Sequence, residues 1–208
     1  TLQGSPRWDI ELAPRGISRR TRGLCAFPPL RIDLPGGGVR DGTVWEGQNK
    51  LKLVTRCRPN DAYQQLIVLE YMTYRLYNVI TPMSYRVRPV NVTFRDTSRG
   101  GREQTQWNFL VEDIGDIAER NGRVALEVQS AEVRSTQLDA EHAALNGLFQ
   151  FMIGNLDFDM THGRPDDECC HNGKLIAASD TSRENVVPEP YDFDHSGFVN
   201  APYATPPE

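Results

Sequence analysis

The hydrophobic period changes at residue 60, and that change constrains this chain more than any single motif does. Before it, apolar residues alternate with polar ones. Trp8, Ile10 and Leu12 interleave with acidic residues, Leu30, Ile32 and Leu34 with Arg31 and Asp33, and Leu51 and Leu53 with Lys50 and Lys52. Such alternation marks half-buried strands, because successive side chains in a strand point to opposite faces. After residue 60, Leu66, Ile67, Leu69, Met72, Leu76 and Val79 recur at helical spacing behind a capping Asn60 or Asp61, and stop before Thr81-Pro82. Strands with one helix inserted define an α+β class.

Further along, Tyr85 to Phe94 reads as a strand, Thr97 to Gln106 as a Gly- and Arg-bearing turn, and Trp107 to Glu112 as a strand. A short helix, Asp113 to Arg120, is stopped by Asn121-Gly122. Asp139 caps a stronger helix carrying Leu145, Leu148, Phe149 and Met152, and Gly154 ends it. Beyond Asn155 the chain is rich in Asp, His, Asn and Pro, with brief strands predicted at Lys174 to Ala178 and Pro190 to Phe193. Pro35-Gly36-Gly37-Gly38 predicts a tight turn.

With 208 residues, 38% of them hydrophobic, the chain can bury one sizeable core with an appended lobe. No apolar run approaches the ~18 residues that a membrane-spanning helix needs. The net charge of −5 is unevenly spread: residues 1–60 hold 11 basic and 5 acidic side chains, and residues 155–208 hold 3 and 11. An acidic end is poorly suited to nucleic-acid phosphate, which argues against a nucleic-acid partner, but it suits a divalent cation. A basic front suits an anionic ligand, although composition alone favours two solvated faces of opposite sign. Lysine is scarce, with three against twenty arginines. Four cysteines are too few for a disulfide scaffold at this length. A Cys25 to Cys57 bridge would suit an oxidising compartment, which favours an extracytoplasmic or secreted location. The chain starts at Thr1 without an initiator Met or signal-like run, and so reads as a processed or excised piece.

Three groups carry the chemistry: Asn155-Leu156-Asp157, His171-Asn172 and Tyr191-Asp192-Phe193-Asp194. Each sits at the edge of a predicted element, where a rigid segment can aim a side chain. Phosphoryl transfer from a nucleotide needs a carboxylate near the attacking hydroxyl and oxygen ligands for Mg²⁺. Asp157 can supply the first, and Asn172 and Asp192 the second. Taken singly, each group is also what a polar turn would contain.

In this order the groups resemble the catalytic half of atypical kinase-like proteins of the CotH spore-coat type, and are similar to the HipA and phosphatidylinositol-kinase pattern. The resemblance covers roughly residues 20–205. It implies a bilobal protein-kinase-like fold, with a sheet-rich N-lobe over 1–112 that includes a helix at 61–80, and a partial, helical C-lobe over 113–208. It also implies that Asp157 is the catalytic carboxylate, that Asn172 and Asp192 bind metal, and that Asp194 is a second or water-mediated ligand. Lys52, or Lys50 beside it, would contact the nucleotide phosphates, with Glu70 as the lysine's ion-pair partner and Arg31 as a further phosphate contact. Glu112 would lie on the nucleotide side of the hinge strand that ends Phe109 to Asp113. ATP with Mg²⁺ or Mn²⁺ is the implied cofactor set. The acceptor is a protein or small molecule of unread identity, and AMP transfer is an open alternative to phosphate transfer. Protein kinases place the catalytic Asp and the metal-binding Asn about five residues apart. Here the separation is fifteen, so Asp159 to Cys170 reads as an insertion. Gly36 to Gly38 lacks the spacing of a Gly-rich phosphate loop.

Other classes compete. Asp157, Asp159, Thr161 and Glu168 imitate a calcium loop, but with His162 where glycine belongs and Pro165 at the ninth position. Cys169, Cys170, His171 and His162 suggest zinc, yet adjacent cysteines seldom direct both sulfurs at one ion, and the pair reads better as packing residues without redox chemistry. A kinase-like module that binds nucleotide or a protein without turnover completes the set.

Overall fold

The computed structural model describes residues 8–16, 25–35, 42–43, 46–164 and 168–204. The Gly36 to Gly38 part of the predicted turn lies outside them. The chain forms two compact units, one made of Thr1–Tyr63 with Arg88–Asp113, the other of Gln64–Val87 with Ile114–Glu208. The secondary structure is α+β with antiparallel sheets, as the period change predicts.

The first unit is a five-stranded sheet of β1 (Glu11–Pro14), β2 (Leu30–Asp33), β3 (Lys50–Val54), β4 (Val87–Asp96) and β5 (Arg102–Glu112), in the order β1-β2-β3-β5-β4. Alternation in β3 sends Leu51 and Leu53 into a cluster with Leu34 and Leu110, and leaves Lys50 exposed. The register sets Arg31 opposite Lys52 and Asp33 opposite Lys50. Arg31 Nε donates to Asp33 Oδ2 at 2.7 Å. β5 starts at Arg102 and not at Trp107, because the Thr93–Thr105 hydroxyl pair and the Arg95–Glu103 ion pair extend the ladder outward. Those residues are polar on both faces, so no alternation announces them. The Cys25–Cys57 disulfide closes a 32-residue separation. On chain entropy alone such a closure is worth ~3–4 kcal/mol.

The second unit holds residues 64–80 of α1 (Asp61–Ile80), then α2 (Ile114–Arg120), β6 (Val124–Leu126), α3 (Ala140–Met152), β7 (Gly173–Ala177) and β8 (Val187–Pro190). The sheet runs β6-β7-β8, with α3 against β8 and α2 against β6 and β7. Its core gathers Leu126, Val128, Val133, Leu175, Ala177 and Val186 around Cys169 and Cys170. The last strand comes earlier than the sequence predicts, ending at Pro190, so Tyr191 to Phe193 are not part of it.

Both long helices bury only part of the apolar set the sequence predicts, with Ile67 on α1 and Phe149 on α3 buried as expected. α1 buries Ile67, Glu70, Thr73, Tyr74 and Tyr77, while Met72, Leu76 and Val79 are exposed. α3 buries Asn146, Phe149 and Gln150, while Leu148 and Met152 are exposed. The cause is an aromatic stack: Tyr77 packs on Phe149 at 4.7 Å, and Phe193 meets Tyr74 at 4.8 Å and Phe149 at 5.8 Å. These large rings outweigh the narrower aliphatic stripes. Among the described residues no helix is long and apolar enough to cross a membrane.

Asp139 caps α3 as the sequence predicts, its Oδ1 accepting the His142 backbone N–H at 2.9 Å and facing His142 Nδ1 at 2.8 Å. The His142 backbone N–H bond, followed by the His142 ring, holds this carboxyl below its ordinary value. Asp139→Ala is therefore expected to cost about 1 kcal/mol near neutrality. Because the folded-state value is depressed, the stabilisation is complete above the ordinary carboxylate range of about 3.9 and is lost as pH falls through the lower folded value. Urea unfolding of both proteins across that range should show their curves converging in acid.

Candidate functional site

Asp157 lies in the loop that follows α3, and a chain of amides fixes it there. Gly154 ends the helix at φ 63°, a left-handed backbone that suits glycine, and Gly197 donates its N–H to the Gly154 carbonyl at 3.0 Å. The buried Asn155 then donates from Nδ2 to Gln150 Oε1 at 2.9 Å and accepts the Asp157 backbone N–H at 3.1 Å. The helix thus holds the loop through two carboxamides, and Asp157 leaves it at a set angle.

The Asp157 carboxylate is held from both sides. His171 Nε2 lies 2.6 Å from Oδ1. Asn172 Nδ2 donates to Oδ2 at 2.9 Å and to the Asp157 carbonyl at 2.7 Å. His195 Nδ1 stands 3.4 Å from Oδ2. His171 and Asn172 occupy a tight turn in which the Cys170 N–H donates to the Gly173 carbonyl and Asn172 has a φ of 49°. The left-handed region suits asparagine better than most residues.

The third group joins through the backbone. The Tyr191 N–H donates to the Asn172 carbonyl at 3.0 Å, and the Asp192 N–H, at φ 63°, donates to the Tyr74 hydroxyl at 2.9 Å. Phe193, fully buried in the aromatic stack, anchors the aspartates on either side of it. Asp194 is buried and Asp192 half-buried. Asp157, Asn172, Asp192 and Asp194, distant in sequence, are thereby tied into one locality of the second unit. Glu70 is buried on α1 of the same unit. Lys50, Lys52 and Arg31 belong to the first unit, as does Glu112, buried at the end of β5 opposite Leu51.

The sequence assigns no role to His195, Gln150 or Tyr74, and it offers His171 only as a zinc candidate and as the neighbour of Asn172. His195 directly follows the second aspartate of the Tyr191 to Asp194 group, and that adjacency is the one signal available. A small cleft of about 10 Å³, room for about one water, lies beneath the turn and opens to solvent, lined by Asn146, Gln150, Cys170, His171, Asn172 and Pro188 among others. Asn146 Oδ1 and Gln150 Nε2 are buried at its wall without a partner among the described residues. They offer it one acceptor and one donor.

The competing metals fare differently. Cys169 and Cys170 are joined to each other in a disulfide, so neither offers a thiolate to zinc, and they are not the unreacted packing residues that the sequence suggests. Asp159 is committed to its own turn, accepting the backbone N–H groups of Thr161 at 2.7 Å and His162 at 2.8 Å. Burial acts to raise this carboxyl, but the Thr161 and His162 bonds outweigh it and hold it below its ordinary value. The calcium-loop pattern also lacks its exit helix, since β7 begins at Gly173. Among the described residues no group of three or more His, Cys, Asp or Glu side chains is arranged to hold a metal ion.

Comparison with family models, with curated proteins and with solved structures finds no match for this chain.

Proposed function

We propose that this chain is a Mg²⁺-dependent phosphotransferase of the atypical kinase type, with a bilobal kinase-like arrangement and ATP as phosphoryl donor. The observation that carries the reading is the hydrogen-bonded convergence of Asp157, Asn172 and the Tyr191–Asp192 backbone, three groups that local turn formation would not bring together. In this reading Asp157 orients the acceptor hydroxyl and takes its proton as the new oxygen–phosphorus bond forms and ADP leaves. His171 and His195 hold the carboxylate so that little reorganisation is needed at that moment.

By donor chemistry, Asn172, Asp192 and Asp194 would suit a hard cation. Asn172 spends its amide N–H groups on Asp157, which leaves the amide oxygen, with the Asp192 and Asp194 carboxylates, as an all-oxygen donor set of the kind that Mg²⁺ or Mn²⁺ prefers. When bound, the ion would neutralise charge on the triphosphate. The reading gives Lys52, with Lys50 and Arg31, the phosphate contacts, Glu70 the positioning of the lysine, and Glu112 a nucleotide contact. Arg31 lies opposite Lys52 across the ladder and is paired with Asp33. Two disulfides suit an extracytoplasmic, oxidising location. The acceptor is a hydroxyl-bearing protein or small molecule, and AMP transfer would use the same metal-bound triphosphate.

Asp192→Ala is the direct test. Calorimetric titration with ATP in Mg²⁺ should lose at least ~100-fold in affinity, while the unfolding temperature of the variant stays near that of the parent. Unchanged Mg²⁺-dependent binding would remove Asp192 from the metal site. Binding without phosphoryl or AMP transfer in the parent protein would favour the module without turnover.

A further inference from the structure

The Cys169–Cys170 disulfide sits immediately before the two residues that hold Asp157, and its surroundings accept the reduced state as well as the oxidised one. Cys169 is buried in the apolar cluster of Leu126, Val128, Val133 and Leu175, where a neutral thiol packs as a small hydrophobe. Cys170, itself buried, lines the small cleft, and its sulfur lies 3.1 Å from the Met160 carbonyl oxygen. A disulfide sulfur has no proton to give that oxygen, and a thiol does. The contact becomes a hydrogen bond only on reduction. Directly after Cys170, the His171 N–H donates to the His162 carbonyl at 2.7 Å and the His171 carbonyl accepts the Asp159 N–H at 3.0 Å. Any change in the Cys169–Cys170 backbone is therefore passed to Asp159 and His162, in the loop that follows Asp157.

We propose that Cys169–Cys170 is a thiol–disulfide exchange site that sets the order of the His171–Asn172 turn. The reductant is a dithiol. Its thiolate attacks Cys170 Sγ, the Cys169 sulfur leaves and takes a proton, and a mixed disulfide forms. The second thiol of the reductant then closes on its own bound sulfur and releases Cys170, which is protonated beside the Met160 carbonyl. The protein gains two electrons and two protons, and the dithiol leaves as a cyclic disulfide. Opening the ring between adjacent residues restores torsional freedom at 169 and 170, and the turn that presents His171 and Asn172 loosens. The consequence for turnover rests on the phosphotransferase reading; the exchange site does not.

The test uses the full chain with the other disulfide removed by Cys25→Ser/Cys57→Ser, and the parent chain in parallel should that variant fold poorly. Each is incubated with dithiothreitol under native conditions, then analysed by alkylation with mass spectrometry and by amide hydrogen exchange. Thiols at Cys169 and Cys170, with exchange at the amides of Asp159, Cys170 and His171 faster by roughly tenfold or more, would support the proposal. Cys169 and Cys170 remaining unalkylated, or becoming thiols with exchange at those amides unchanged, would overturn it. Phosphoryl transfer should fall about tenfold on reduction, and Cys169→Ser/Cys170→Ser should sit at the reduced level without responding to dithiothreitol. If exchange responds while transfer is absent in both redox states, the exchange site stands and the phosphotransferase reading fails.

Discussion

Replacing Asp157 by asparagine is expected to lower phosphoryl transfer by about 10² to 10⁴ while leaving Mg·ATP affinity within roughly threefold. The variant keeps the size and planarity of the side chain, so the loop held by Gln150 and Asn155 has no steric reason to move. What it loses is the capacity to take a proton. One of its two polar ends also becomes a donor facing His171 or Asn172, which donate to the native carboxylate. Single-turnover transfer from ATP, measured beside equilibrium binding of the nucleotide, separates these effects. Transfer within tenfold of the parent would move the catalytic role to another carboxylate, with Asp159 the nearest in sequence, although its Oδ1 already serves Thr161 and His162.

The second large effect belongs to stability. Phe193→Ala is expected to destabilise the second unit by about 3–5 kcal/mol, the cost of removing a fully buried aromatic ring. The ring is clasped edge-on by Tyr74 and Phe149, and it lies between the two aspartates of the proposed metal set, so the variant should lose cation-dependent nucleotide binding as well. Phe151→Ala is the matched control. That ring is 82% exposed at the end of α3, and its removal is expected to change stability by no more than ~0.5 kcal/mol. Equal urea midpoints for the two variants would mean that the aromatic stack does not hold the second unit together.

The contrast between Phe193 and Phe151 shows where the sequence stops being informative. Periodicity places α1, α3, β3 and the Asp139 cap close to where they occur, because each follows from neighbours within a few residues: alternating side chains, a carboxylate beside free N–H groups, a glycine able to adopt positive φ. It also brings forward Asp157, Asn172, Asp192 and Asp194, since acidic and amide residues at element edges are conspicuous in a one-dimensional reading. It does not say which face of a helix is buried. Aliphatic residues alone suggest Met72, Leu76 and Val79 on α1, and Leu148 and Met152 on α3, yet these are exposed while Glu70, Asn146 and Gln150 are buried.

What only the tertiary structure decided is the set of partners. A hydrogen bond from Asn172 to Asp157 spans fifteen residues, and one from the Asp192 backbone to Tyr74 spans 118. Such pairings carry no periodic trace, because they depend on where separate elements meet and not on the spacing within either. The Cys169–Cys170 bond joins sequence neighbours, yet the sequence reads them as two packing residues, since nothing in one dimension tells a disulfide from two buried thiols. The sequence by itself determined the α+β order of elements and the polar groups available for chemistry. Burial of the Tyr74, Tyr77, Phe149 and Phe193 rings decided which of those groups face one another, because packing large aromatic side chains is worth more than keeping a few aliphatic ones from water.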